Sequence, residues 1–430
     1  MEGRSAQRPA RESSFMQLLF RTLFSRLVKV GDLSVQFADG ATHRFGDGTG
    51  QPVLIRFNDA RAPIDLMRNP ELVFGELFMD GRLDFVGASV YDALSLISRN
   101  SMRRGAPAWI GAIRRARDSV QAFRPSNLRK ASRANVQHHY DLDDRLYRLF
   151  LDSDRQYSCA YFERPDATLE EAQLAKKRHI AAKLLLEPGH TVLDIGSGWG
   201  GLALYLARHC GADVTGVTLS DEQIAAAKAR AAEAHLSDRV RFAIQDYRDV
   251  PGPFDRVVSV GMFEHVGPKH FKAYFDTVER LLKPDGVALI HTIVRPDGPG
   301  TTNPWATKYI FPGGHIPGLS EIVAAIERGG LYITDIEFLR MHYAETLRAW
   351  RDGFLQRRDE AKALYDERFC RMWDFYLAAA EVAFRLEGEH VCQLQLARRH
   401  DAVPITRNYI AEAEEKLRAL EAREEPALVA

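Results

Sequence analysis

Cysteine is scarce in this chain. The four residues Cys159, Cys210, Cys370 and Cys392 are widely spaced and form no C-x-x-C pair. That pattern indicates neither a zinc finger nor a disulfide framework. Free thiols in a reducing cytoplasm are the simple reading. A surplus of one charge is also missing, since 58 Lys and Arg face 58 Asp and Glu. A nucleic-acid binder is therefore not the default, although the balance says nothing about local patches. No run reaches the ~18 apolar residues of a membrane span. Residues 15–30 resemble a signal peptide, but Arg21 and Arg26 interrupt them and no small-residue cleavage site follows. These absences predict a cytoplasmic protein. No internal repeat is visible.

What is present is apolar mass. Of 430 residues, 46% are hydrophobic, which suits a packed core and excludes disorder over most of the length. The length suggests roughly two to three domains. Residues 1–14 are polar and read as disordered. Met16, Leu19, Phe20, Leu23 and Leu27 then follow helical spacing. That face lies either on a membrane surface or against its own domain. Strand-like 33–37 and 42–45 flank the hairpin signal Asp39-Gly40. A further strand at 53–57 and helices near 62–79 and 91–98 complete a small α+β domain over 1–98. A lipid-binding or membrane-docking role is the expectation for it.

Residues 99–133 form a basic linker. Arg99, Arg103, Arg104, Arg114, Arg115, Arg117, Arg124, Arg129, Lys130 and Arg133 face only Asp118. A solvated linker, a surface for anionic lipid headgroups at about 1 kcal/mol per basic residue, and a nucleic-acid footprint all fit. Residues 134–404 read as the main domain, where strands and helices alternate from 191 to 294. That alternation predicts a doubly wound parallel sheet. Strand-like 331–338 and helical stretches over 344–384 follow. Residues 405–430 read as a charged tail, a helix that frays.

The sharpest local signal is Val192-Leu193-Asp194-Ile195-Gly196-Ser197-Gly198-Trp199-Gly200-Gly201, a strand, a tight turn and a helix start. Glycines let backbone amides approach a ligand, and a helix N-terminus favours negative groups. Read as G-x-G-x-x-G, the loop fits a dinucleotide. Read as D-x-G-x-G, it fits S-adenosylmethionine. The glycines alone do not choose between them. The tip of the second strand, Gly216-Val217-Thr218-Leu219-Ser220, lacks the acid that a dinucleotide ribose needs. Asp194 would repel a pyrophosphate but suits a sulfonium bearing an amino group. Gln245-Asp246 ends the third strand, in reach of an adenine edge. The methyl-donor reading is therefore favoured.

The chain resembles cyclopropane-fatty-acyl-phospholipid synthases and their relatives acting on mycolic acids. The motifs that carry this are His138-His139-Tyr140-Asp141-Leu142, Tyr157-Ser158-Cys159-Ala160-Tyr161-Phe162, the glycine loop, Val217-Thr218-Leu219-Ser220, Phe263-Glu264-His265-Val266-Gly267, Leu289-Ile290-His291-Thr292-Ile293, Tyr309-Ile310-Phe311-Pro312-Gly313-Gly314 and His342-Tyr343. The resemblance implies a class I S-adenosylmethionine-dependent methyltransferase sheet (Rossmann-like, α/β) with helical additions. It implies donor contacts at Tyr157, Ser158, Gly196, Gly198, Thr218, Leu219, Gln223, Gln245 and Asp246. It also implies a bicarbonate ion held by Cys159, Glu264, His291, the backbone of Ile293, and Tyr343. Two departures stand out: Ser197 where many members have cysteine, and Ala380 where some do. The second argues against a covalent thiol mechanism. The N-terminal domain resembles the extra domain of the bacterial phospholipid-acting branch, which the mycolic branch lacks, and that resemblance implies intact membrane phospholipids as substrate.

The implied chemistry is attack of an alkene on a methyl sulfonium, which leaves a carbocation on the acyl chain. Such a cation needs a dry site and is stabilised by aromatic faces. Tyr157, Tyr161, Phe162, Phe263, Trp305, Tyr309 and Phe311 are candidates for that lining, with ordinary packing as the bland alternative. Glu264 is a candidate base in its own right if burial raises its pKa. Proton loss or reduction would instead give a methylene- or methyl-branched chain. The partners expected are a membrane phospholipid with an unsaturated acyl chain, an anionic inner-membrane surface and a second copy in a homodimer. No metal and no nucleic acid are expected.

Overall fold

A computed structural model describes residues 8–104 and 143–428, with side chains over 17–102 and 143–423. The motif at 138–142 and residues 105–133 of the basic stretch lie outside the described residues. The described chain divides into two compact units, and they are not sequential. Asn303–Ile310 and Trp350–Gly388 belong with the N-terminal elements, while the remaining later segments form the second unit.

In the first unit, β1 (Asp32–Gln36), β2 (Thr42–Gly46), β3 (Pro52–Phe57) and β4 (Leu83–Val86) form a sheet in the order β2-β1-β3-β4. β1 and β2 are the hairpin expected from Asp39-Gly40, and β3 pairs parallel to β1. The helix Arg8–Leu27 starts within the polar stretch read as disordered. Its Phe20 is buried, with Phe37 and Phe57 edge-on at 5.8 and 5.7 Å. That face of the helix covers its own domain, while Leu18 and Leu19 stay exposed. The helix expected over 62–79 is two helices, Ala62–Arg68 and Pro70–Met79. Pro70 has no N–H to donate and drives Asn69 out of the helical region, to φ −155° and ψ 79°.

The second unit holds β5 (Thr191–Ile195), β6 (Asp213–Thr218), β7 (Val240–Ile244), β8 (Phe254–Val260), β9 (Leu282–Val294), β10 (Tyr332–Phe338) and β11 (His390–Ala397). The order is β10-β11-β9-β8-β5-β6-β7. The sheet is mixed rather than purely parallel, because β11 runs antiparallel to both β9 and β10. Sequence reading missed β11. Two glutamines, Gln393 and Gln395, alternate with its apolar residues, yet all are buried. The strand order reverses around β5, which pairs with β6 on one side and β8 on the other. In open sheets of this kind the ligand crevice lies outside the carboxyl ends of the strands at that reversal.

The C-terminal helix Asn408–Leu428 is docked where fraying was expected. Leu417 is buried, Tyr205 donates to Glu421 at 2.6 Å, and Arg178 donates to Glu421 at 2.7 Å. Among the described residues no helix is long and apolar enough to cross a membrane.

Candidate active site

The turn after β5 needs its glycines. Gly196, Gly198 and Gly200 all have positive φ, and a Cβ on Gly200 would lie 2.6 Å from the Phe242 ring. The turn is tied to the neighbouring strand, because Gly196 N and Ser197 N both donate to Val217 O, at 2.8 and 3.1 Å. The helix Gly201–Cys210 then opens beneath a cleft continuous with solvent. All ten residues singled out for the methyl donor line this one cleft: Tyr157, Ser158, Asp194, Gly196, Gly198, Thr218, Leu219, Gln223, Gln245 and Asp246. Two of them hold each other, since Thr218 donates to the Gln223 side-chain oxygen at 3.0 Å. Asp246 accepts from Arg248 at 2.8 Å.

Asp194 is buried, and its Oδ2 has no hydrogen-bond partner. Burial pushes its carboxyl up to about 7, with Lys176 opposing. Sequence reading missed Lys176. This fully buried lysine lines the cleft and donates to Gln156 Oε1 at 2.7 Å and to Ser158 Oγ at 2.8 Å. Burial pulls it down to about 8, against the pull of Asp152. The available signal was spacing. Lys176, His179 and Lys183 recur at i, i+3 and i+7 on the helix Leu169–Lys183, a polar stripe that is buried instead of solvated. An unpartnered buried carboxyl, a glycine cradle and a helix N-terminus fit a donor that carries a cationic sulfur and an amino acid moiety.

Glu264 sits in the 3-10 turn Phe263–His265 after β8, between the cleft-lining Met262 and His265. Its Oε1 accepts from Ile293 N at 2.7 Å, and its Oε2 is buried without a partner. Burial raises its pKa, opposed by the Ile293 amide and Thr292. His291 lies two residues before Ile293 on β9, so both side chains share a face of the sheet. It is buried, with Nδ1 at 3.2 Å from Gln393 Nε2 and no partner on Nε2. Burial, helped by Lys176, Lys183 and His179, holds its pKa well below the usual histidine value.

Cys159 donates to Ala160 O at 3.3 Å, and burial raises its thiol pKa, so it is no thiolate at neutral pH. Tyr343 lies on the helix His342–Gln356, whose first turn holds the Cys159 segment. Phe162 N donates to His342 Nδ1 at 2.9 Å and Ala160 N to Thr346 Oγ1 at 3.0 Å. The structure thus joins Glu264 to Ile293, and the Cys159 segment to the Tyr343 helix. Among the aromatic candidates, Tyr157 lines the cleft. Phe263 is core, stacked on Phe271 at 4.6 Å. Tyr161 is sandwiched between His179 and His342, at 4.3 and 4.8 Å. Trp305 is buried in the first unit, bonded to Met79 and packed on Phe375, and Tyr309 there donates to Glu76. Among the described residues no cluster of His, Cys, Asp or Glu is arranged to hold a metal ion.

The sheet order and the glycine turn define the class I S-adenosylmethionine-dependent methyltransferase fold. Residues 127–394 match the mycolic acid cyclopropane synthetase family, and residues 19–103 match a domain of unknown function. The chain is 39% identical to the cyclopropane-fatty-acyl-phospholipid synthase of Escherichia coli, over 78% of this chain and 88% of that one. It is 36% identical to the tuberculostearic acid methyltransferase of Mycobacterium tuberculosis, over 85% of this chain and 88% of that one. A mycolic acid cyclopropane synthase crystallised with SAH and CTAB superposes with a TM-score of 0.58 at 35% identity, over 61% of this chain and 97% of that one. The chain belongs to the mycolic acid cyclopropane synthetase family, whose members are S-adenosylmethionine-dependent methyltransferases acting on lipids.

Proposed function

We propose that this chain transfers a methylene unit from S-adenosylmethionine to the cis double bond of an unsaturated acyl chain in a membrane phospholipid, closing a cyclopropane ring. The bound donor supplies an electrophilic methyl group on a sulfonium that leaves as a neutral thioether. The alkene π electrons form one carbon–carbon bond to that methyl, and the neighbouring chain carbon becomes a cation. Removal of a proton from the new methyl leaves its electron pair to close the ring. The residues lining the cleft hold the donor, with Asp194 beside its charge and Ser158 fixed by Lys176.

The observation that carries the reading is a pair of buried atoms without protein partners, Glu264 Oε2 and His291 Nε2, at the carboxyl edge of the sheet. One is an acceptor and the other a ring nitrogen, and a small ion with both a hydroxyl and bare oxygens offers a partner for each. Bicarbonate is such an ion. Cys159, Glu264, His291, the Ile293 backbone and Tyr343 are the residues that would hold it, and it would supply the base. The burial that raises the Glu264 pKa suits a carboxyl that shares a proton with that ion. The proposal extends to the membrane. The domain at 1–98 and the basic linker at 99–133 dock the enzyme on the anionic cytoplasmic face of the inner membrane, and it works there as a homodimer.

Incubation with vesicles of unsaturated phospholipid and methyl-labelled donor tests the reading. Label in the acyl chain, with upfield ring-methylene protons by NMR, is the expected result. A second reading draws on the relative named tuberculostearic acid methyltransferase, matched over most of the chain. On that reading the same cation is reduced or loses a different proton, and a methyl or methylene branch replaces the ring signal.

A further inference from the structure

We propose that Gln393 and Lys183 are positioning residues that fix His291 as the tautomer with its proton on Nε2, aimed away from β11. The argument begins with register. β9 and β11 are antiparallel, and His291 stands directly opposite Gln393, so their side chains share one face. Gln393 is fully buried. Its Oε1 lies 2.9 Å from Lys183 Nζ. An ammonium has donors only, so the amide must turn its oxygen towards it. Lys183 is held as an ammonium by direct contact with Glu337 and by Asp335 at 3.9 Å, although burial pulls its pKa down.

The other end of the same amide is then NH2, and it faces His291 Nδ1 at 3.2 Å. An amide nitrogen donates, so Nδ1 accepts. A neutral imidazole has one proton, and it must sit on Nε2. Burial and the neighbouring Lys176, Lys183 and His179 keep the ring neutral. The Nε2–H is therefore a donor with no protein acceptor. Glu337 is itself fixed from the outside by His179 Nε2 at 2.7 Å, whose Nδ1 meets Glu414 at 2.6 Å. The chain Glu414–His179–Glu337–Lys183–Gln393–His291 orients a tautomer. An amide does not readily exchange its protons, so the chain is no proton path.

The inference rests on the proposed reading only in its purpose, since an anion held by His291 needs an N–H there. The tautomer can be measured without any reaction. Full-length protein is labelled with 15N-histidine, and the His291 signals are assigned by their loss in His291→Asn. A protonated Nε2 with a bare Nδ1 near neutral pH is expected. A protonated Nδ1, alone or in an imidazolium, overturns the proposal. The isosteric Gln393→Glu offers Nδ1 an acceptor instead of a donor. A proton should appear on Nδ1, and kcat should fall by about tenfold or more, with KM for the donor within about threefold. An unchanged 15N pattern together with an unchanged kcat in this variant overturns the role of Gln393. Product analysis of the unaltered enzyme judges the ring-forming reading separately, because a branched product leaves the 15N pattern untouched.

Discussion

Glu264 has one oxygen tied to a backbone amide and one left over, which makes its two oxygens chemically different. Glu264→Gln keeps the shape and the bond to Ile293 N but removes the carboxyl. Steady-state assay with labelled donor should show kcat lower by about 10²-fold or more, with donor affinity by calorimetry roughly kept. Near-normal turnover would remove Glu264 from the chemistry. Asp194 gives a second residue-scale expectation. Its folded value of about 7 lies above that of an unfolded aspartate, about 4. The folded, donor-free chain thus holds a proton that the unfolded chain gives up between those pH values. Stability from this group is fully present below about pH 4 and declines as pH rises towards 7. A cation bound beside it favours the carboxylate, so donor binding near pH 6 should release a proton, and affinity should strengthen as pH rises. Calorimetry in buffers of different ionisation enthalpy reads that release, and Asp194→Asn should abolish it. The cysteines form a third case. All four are buried, so a thiol reagent should react slowly with the folded protein and completely after denaturation.

At the scale of elements, the glycine turn and the β9–β11 pair do different work. The turn was legible because its requirement is local: positive φ at Gly196, Gly198 and Gly200 within a strand–turn–helix string. Gly200→Ala would add about 1–3 kcal/mol of backbone strain and push a methyl into Phe242. A lowered thermal midpoint and weakened donor binding are the expected readings, and an unaltered midpoint would count against a tight turn. The β9–β11 pair was not legible. Gln393 and His291 are 102 positions apart, and glutamine in a buried strand looks like an error until its two partners are seen. Lys176 was hidden in the same way, because a lysine on a helix reads as solvated until something covers it.

For the whole molecule, zero net charge conceals an uneven distribution, with ten basic residues against Asp118 in 99–133. That stretch should give binding to anionic vesicles that weakens as salt shortens the screening length to ~8–10 Å. Equal co-sedimentation with neutral and anionic vesicles would refute an electrostatic role. The division into two units is likewise a property of the whole. Trp305 and Tyr309 read as candidate aromatic lining for a cation, with ordinary packing as the alternative, and they pack with Met79, Phe375 and Glu76.

The order of residues by itself determined what depends on neighbours along the chain: the β5 turn, the hairpin at Asp39-Gly40 and the run of motifs that marks the family. It also pointed to ten of the residues that line the cleft, most of them through the resemblance that those motifs carry. Tertiary structure decided everything that needs a partner from far away. It inserted β11 between β9 and β10, buried Lys176 and Lys183, and left one oxygen of Glu264 and one nitrogen of His291 without protein partners. The reason is physical. Backbone conformation answers to adjacent residues, whereas desolvation and hydrogen-bond pairing answer to whatever the fold brings within about 3 Å.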